Sequence, residues 1–151
     1  MQYWLIKSEP GAYSIADLKR DGHTHWNGVR NYQARNFMRT MQVGDRILFY
    51  HSNAEPMAVV GTATVAKAAY PDFTAWDPKD HHFDPKSTPE KPLWDMVDVA
   101  YEATLPQPVT LEQIKRDDAL EGMVLRQKGS RLSVQPVSAA HFERVCTLGG
   151  L

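Results

Sequence analysis

The chain has one cysteine, Cys146, in 151 residues, so an internal disulfide is excluded and a reducing compartment suits it. No stretch approaches the ~20 apolar residues that a membrane-crossing helix needs, so no membrane partner is expected. The opening Met1-Gln2-Tyr3-Trp4-Leu5-Ile6-Lys7 lacks a basic region, a long apolar core and a small-residue cleavage site. No signal peptide is therefore expected, and the cytoplasm is the expected location. A positive excess is also missing: 17 basic residues face 18 acidic ones. Proteins that coat duplex phosphate carry such an excess, because their affinity comes from displaced counterions. Any nucleic-acid contact here must be local. Repeats and low-complexity tracts are absent as well. What remains is an ordinary globular composition, 42% apolar and 23% charged, long enough to bury a core as one domain spanning residues 1–151.

Local patterns predict a series of short elements. Tyr3 to Ile6 is an apolar run ended by Lys7-Ser8-Glu9-Pro10-Gly11, which predicts a strand and a turn. Ser14-Ile15-Ala16-Asp17 has capping-box spacing, and Gly22 stops the helix that follows. Asn31 is a good N-cap for a second helix, whose Ala34, Phe37, Met38 and Met41 form an apolar stripe before Gly44-Asp45. Arg46–His51 and Val59–Ala66 read as strands. Tyr70 to Pro92, rich in proline and aspartate, reads as a long irregular loop of the kind that often carries function. Val97, Val99 and Tyr101 alternate with polar or small residues as a half-exposed strand. Thr110-Leu111-Glu112-Gln113 repeats the capping box. Arg131 to Gln135 predicts a late strand that Pro136 confines to an edge or an end, and Ser138 caps a last helix with Phe142, Val145 and Cys146. The expected class is α+β, with a small barrel-like mixed sheet flanked by short helices.

The segment from Trp26 to Asn36 concentrates chemistry. It places Trp26, Tyr32, Arg30, Arg35 and several carboxamides beside a helix N-terminus, where free N–H groups and guanidinium donors suit a phosphate. Alone, Trp26 and Tyr32 read more readily as core, and the arginines as a solvated face, because aromatic residues usually fill cores. Similar polar-aromatic mixtures recur, however: Trp4 before Lys7-Ser8-Glu9, Tyr50-His51-Ser52-Asn53 closing a strand, and Arg131-Leu132-Ser133 opening another. Strand ends often deliver residues to one concave site. A planar base needs a ring to stack on and polar groups for its edge, and stacking is worth roughly 1–3 kcal/mol per base.

Several of these blocks resemble the EVE domain. They are Trp4 with Lys7-Ser8-Glu9-Pro10, Gly28 through Asn36, and Phe49-Tyr50-His51-Ser52-Asn53. Tyr70-Pro71-Asp72 and Arg131 through Val137 continue the likeness in the same order, so that it runs from about Tyr3 to Phe142. The chain is similar to the short bacterial form. The resemblance implies a PUA-like fold related to YTH domains. It also implies a non-catalytic module that holds a flipped-out modified base, with modified cytosine in DNA favoured over RNA and no cofactor. Base flipping is physically sensible, because a modification inside the stack can be inspected fully only after extrusion. Carried over motif by motif, the base-pocket residues are Trp4, Lys7, Ser8, Trp26, Asn31, Tyr32, Tyr50, His51, Ser52 and Asn53. Arg30, Arg35 and Arg131 are the phosphate or backbone candidates.

Three other readings stay open on the residues alone. His23 and His25, or Asp77, Asp80, His81, His82 and Asp84, could supply metal ligands, although neither set has zinc-finger or H-E-x-x-H spacing, and no metal is expected. A small hydrolase or nucleotide-processing enzyme could use Lys7-Ser8-Glu9, or His51 and Ser52 with Asp72. Against it, neighbouring strand positions point to opposite faces and no G-x-S-x-G elbow exists. Phe73, Trp76 and Phe83 of the long loop could instead form a partner-binding surface, or pack the loop onto the core.

Overall fold

Alternating apolar side chains on the central strands divide the interior into two clusters on opposite faces of one sheet. The structure is a computed structural model and describes residues 1–129 and 131–151. Its strands are β1 (Tyr3–Ser8), β2 (His23–Trp26), β3 (Arg46–His51), β4 (Ala58–Pro71), β5 (Asp95–Thr110) and β6 (Val134–Val137). Its helices are α1 (Ile15–Asp21), α2 (Tyr32–Thr40), α3 (Leu111–Arg116) and α4 (Ala139–Leu148). The strands form one six-stranded sheet in the order β2-β5-β4-β3-β1-β6. β1 and β3 run parallel and the other neighbours antiparallel, which makes the sheet mixed and the class α+β, as expected. Among the described residues no helix is long and apolar enough to cross a membrane.

The period of two along a strand explains the division. Trp4 and Ile6 of β1 and Ile47 and Phe49 of β3 enter the first cluster, where they meet Leu18 of α1 and Ala34 and Met38 of α2. Leu5, Leu48 and Tyr50 point the other way. They meet Ile114 of α3, Phe142 and Val145 of α4, and Leu120 and Leu125 from the two short turns between α3 and β6. The caps form where the sequence predicts them. Ser14 and Asp17 complete a capping box on α1, Thr110 and Gln113 complete another on α3, and the Asn31 and Ser138 side chains accept from the first turns of α2 and α4.

Five elements differ from expectation. β4 runs from Ala58 to Pro71, past the expected end at Ala66 and into the expected loop, because Tyr70 and Pro71 stay paired with Met96 and Asp95 of β5. β1 runs two residues further, to Ser8, because Lys7 and Ser8 stay paired with Tyr50 and His51 of β3. β2 carries almost no apolar signal, and pairs through its backbone with Val97–Ala100 of β5. β5 continues through Pro106 and Pro108. Its register against β4 jumps from Gly61–Thr104 to Val59–Val109, so the prolines lie in a bulge where no ladder donor is required. β6 begins only at Val134, and it is an edge strand, the place where Pro136 is tolerated.

Candidate functional site

A cavity of about 680 Å³ opens at the edge of the first cluster, within the size range of small-ligand sites. The end of β1 supplies Lys7 and Ser8, and the turn after it supplies Glu9, Ala12 and Tyr13. β2 and the connector to α2 supply Thr24 through Asn31. His81 and His82 come from the long loop, and Ser133 from the approach to β6.

The aromatic wall is built on Trp26. Its ring is half-buried and meets Phe49 edge-on at 5.6 Å and Tyr13 edge-on at 6.3 Å between centroids. The Tyr13 hydroxyl donates to Asp21 at 2.8 Å. Burial, helped by that carboxylate, pushes its pKa up to about 12, so the phenol stays neutral. Burial lowers the pKa of the Lys7 ammonium, which also lines the cavity. The Ser8 hydroxyl is committed, donating to the Tyr13 carbonyl at 2.5 Å.

A buried carboxylate fixes the part of the lining formed by Gly28 and Arg30. Asp72 is fully buried at the end of β4, yet burial, which raises its pKa, is outweighed and the group sits below the usual carboxylate value. The reason is its donors: the Thr74 amide and hydroxyl, the Gly28 amide at 2.8 Å, and the Arg30 guanidinium at 3.0 Å. Arg30 also donates to the His82 carbonyl from Nε and Nη2, at 3.1 and 2.7 Å, and to its own neighbour Val29. The long loop is thereby latched to the connector before α2. Gly28 has φ +78°, and a Cβ there would lie 2.5 Å from His82 Nε2, so glycine is needed both for conformation and for the close approach of that ring.

The structure brings Lys7, Ser8, Trp26, Arg30 and Asn31 to this cavity, and sends the other sequence-derived residues elsewhere. Trp4 is buried in the first cluster, with its indole N–H donating to the buried Asp45 at 3.1 Å. Tyr50 is buried on the opposite face of the sheet, because it alternates with Phe49. Tyr32 lies outside the cavity, 55% exposed and stacked on Trp94 at 4.7 Å. His51 Nε2 accepts from the Ile15 amide at 3.1 Å, which anchors the start of α1, and burial lowers its pKa. Ser52 continues the β1–β3 pairing through its amide to Ser8, and Asn53, at φ 48°, reaches Glu9 at 3.4 Å. Among the phosphate candidates, Arg30 is consumed by the latch. Arg35 donates to the Leu93 carbonyl and to Asn36 while covering the Tyr32 ring, and Arg131 lines a second, neighbouring groove.

Tyr13, Thr24, His25, Asn27, His81, His82 and Ser133 also line the cavity and were not singled out for it from sequence. Tyr13 and the two loop histidines reach it only through tertiary packing, which no local pattern encodes. The usable signals were Asn27, inside the Trp26–Asn36 block, and Ser133, inside Arg131-Leu132-Ser133. Of the metal-ligand types in the loop, Asp80, His81 and His82 place ligand atoms within 4.8 Å of one another. Asp84 instead accepts from the Trp94 indole at 2.7 Å, and Asp77 from the Lys79 amide.

Known proteins carry the same architecture. The family model described as EVE domain matches residues 2–148. Chicken thymocyte nuclear protein 1 is 40% identical over 165 residues, covering 97% of this chain and 68% of its own length. A crystal structure of a Pseudomonas syringae protein superposes with TM-score 0.94 at 46% identity, covering 97% of this chain and 99% of that one. The human THYN1 protein, in complex with 5-methylcytosine containing DNA, superposes with TM-score 0.92 at 37% identity, covering 100% and 99%. A yeast YTH domain from Zygosaccharomyces rouxii, with TM-score 0.58 at 13% identity over 98% of this chain and 86% of that one, shares the fold alone. With the family model matching almost end to end and curated relatives at 40% identity, this chain belongs to the EVE domain family.

Proposed function

We propose that the cavity beside Trp26 receives a single modified nucleobase flipped out of a strand, and that the chain binds it without catalysing a reaction. The observation that carries this reading is the pairing of an aromatic wall, Trp26 with Tyr13, and polar side chains of Lys7, Asn27 and Asn31 in one cavity of suitable size. Rings supply stacking and the polar groups supply partners for the edge of the base. DNA with a modified cytosine is the favoured ligand, because the human THYN1 relative is described in complex with 5-methylcytosine containing DNA. A non-catalytic role fits the fate of the enzyme-like groups. Ser8 is spent on a backbone carbonyl, and the His51 lone pair on a backbone amide. A cytoplasmic setting belongs to the same proposal and rests on the single thiol, Cys146.

The test is a titration of otherwise identical DNA and RNA oligonucleotides with and without the modification. A preference for the modified DNA is expected. Trp26→Ala should weaken binding by about 5- to 150-fold, the equivalent of one stacked base. Equal binding of modified and unmodified strands would end the base-reader proposal, and tighter binding of modified RNA would transfer it to RNA.

A further inference from the structure

We propose that the groove adjoining the cavity is a track for the phosphodiester backbone, so that the ligand is a polynucleotide strand rather than a free base or nucleoside. The inference rests on the base-binding reading only for what fills the first cavity. The groove, of about 440 Å³, lies between the first turns of α2 and the segment leading into β6. It meets the cavity directly: Asn31 lines both, and Ser133 of the cavity is the chain neighbour of Leu132 in the groove.

Its chemistry is one-sided. Lys128 and Arg131 supply two cations, and Gln33 and Gln127 add carboxamides to that of Asn31, while among the described residues no aspartate or glutamate lines it. In a chain with more acidic than basic residues, a lining without carboxylate is a local departure. Every other arginine donates to a carboxylate or to a backbone carbonyl. Among the described residues Arg131 has no such partner, and Lys128 makes no ion pair. A guanidinium left open beside carboxamide donors matches a phosphate, which accepts bidentate hydrogen bonds and carries the opposite charge. The arrangement also answers how a protein with net charge −1 could hold nucleic acid: it would grip the phosphates next to one extruded base, and leave the rest of the duplex alone.

The experiment compares the wild-type chain with the double variant Lys128→Gln/Arg131→Gln. The probes are a short DNA duplex with one 5-methylcytosine, the same duplex with cytosine, and free 5-methyldeoxycytidine, measured over a range of salt. Both side chains are exposed, so the variant should fold, and a thermal melt checks this. The variant should bind both duplexes at least about tenfold more weakly at low salt. Its slope of log affinity against log salt should shrink by about 1.8, for two phosphates at about 0.9 each, with nucleoside binding unchanged. Unchanged duplex affinity and salt slope would overturn the backbone track, even with a clear preference for the modified duplex. Equal binding of the two duplexes, both weakened in the variant, would remove the base reading and leave the track standing.

Discussion

The two faces of the sheet use the same strands for opposite ends. On one face, Leu5, Leu48 and Tyr50 are covered by α3, α4 and the two turns between α3 and β6, and no residue of that cluster lines either cavity. On the other, Trp4, Ile6, Ile47 and Phe49 are covered by α1 and α2, but the cover stops short at Trp26, Tyr13 and the end of β1. The closed face carries the packing, and the open face ends in an aromatic and polar boundary. The comparison teaches why aromatic residues of one motif part company. Phe49 and Tyr50 are chain neighbours, yet only the first borders Trp26, because a one-residue step on a strand reverses the face.

The largest effect should come from the closed face. Phe142 is fully buried against Tyr3, with ring centroids 4.9 Å apart, and the Arg46 guanidinium lies 4.6 Å from its centroid. Phe142→Ala should lower unfolding stability by about 3–5 kcal/mol in a urea titration, while the surviving folded fraction binds the modified strand with wild-type affinity. A variant that keeps its stability but loses binding would break the division between the faces.

An intermediate effect is expected at the latch. Arg30→Met removes the guanidinium from Asp72 and from the His82 carbonyl, but leaves the Gly28 and Thr74 donors on the buried carboxylate. A loss of about 2 kcal/mol follows from hydrogen bonds to a charged group. Amide exchange should accelerate mainly between Asp72 and Trp94, and the binding defect should exceed the defect in core stability. Acceleration spread evenly over both faces would show that the loop is not held by this latch.

Much of the fold was legible because its signals are local. The caps at Ser14, Asn31, Thr110 and Ser138, the apolar stripe of α2 and the limits of β3 all follow from side chains close together along the chain. β2 was not legible, since His23–Trp26 earns its place by pairing with a strand more than 70 residues away. The candidate site divides in the same manner. Trp26, Asn31, Lys7 and Ser8 came from motif blocks. Tyr13, His81 and His82 depend on how a turn and a long loop fold back, and Trp4 and Tyr50 depend on strand parity that the motif alone does not report. Arg30 shows a further limit: an arginine beside a helix start suggests phosphate, and only the position of Asp72 reveals that it is already spent.

The smallest effect is a pH dependence that separates α1 from the cavity it flanks. His51 accepts the Ile15 amide through Nε2, which requires the neutral ring, and burial holds its pKa below the ordinary 6.5. Between that lowered value and 6.5 the unfolded chain binds a proton that the folded chain does not, so unfolding stability rises with pH across this window. The contribution is complete above pH 6.5, and is lost progressively as acidification proceeds toward the folded-state value. His82, whose pKa burial also lowers, adds to the same slope from the cavity wall. His51→Gln should therefore remove part of the stability loss seen between about pH 7 and 5, and His82→Gln a separate part. Only the His82 variant should alter the pH dependence of strand binding, because its ring lines the cavity and that of His51 does not. If His51→Gln changed binding and His82→Gln did not, the open boundary would have to be redrawn to include the start of α1.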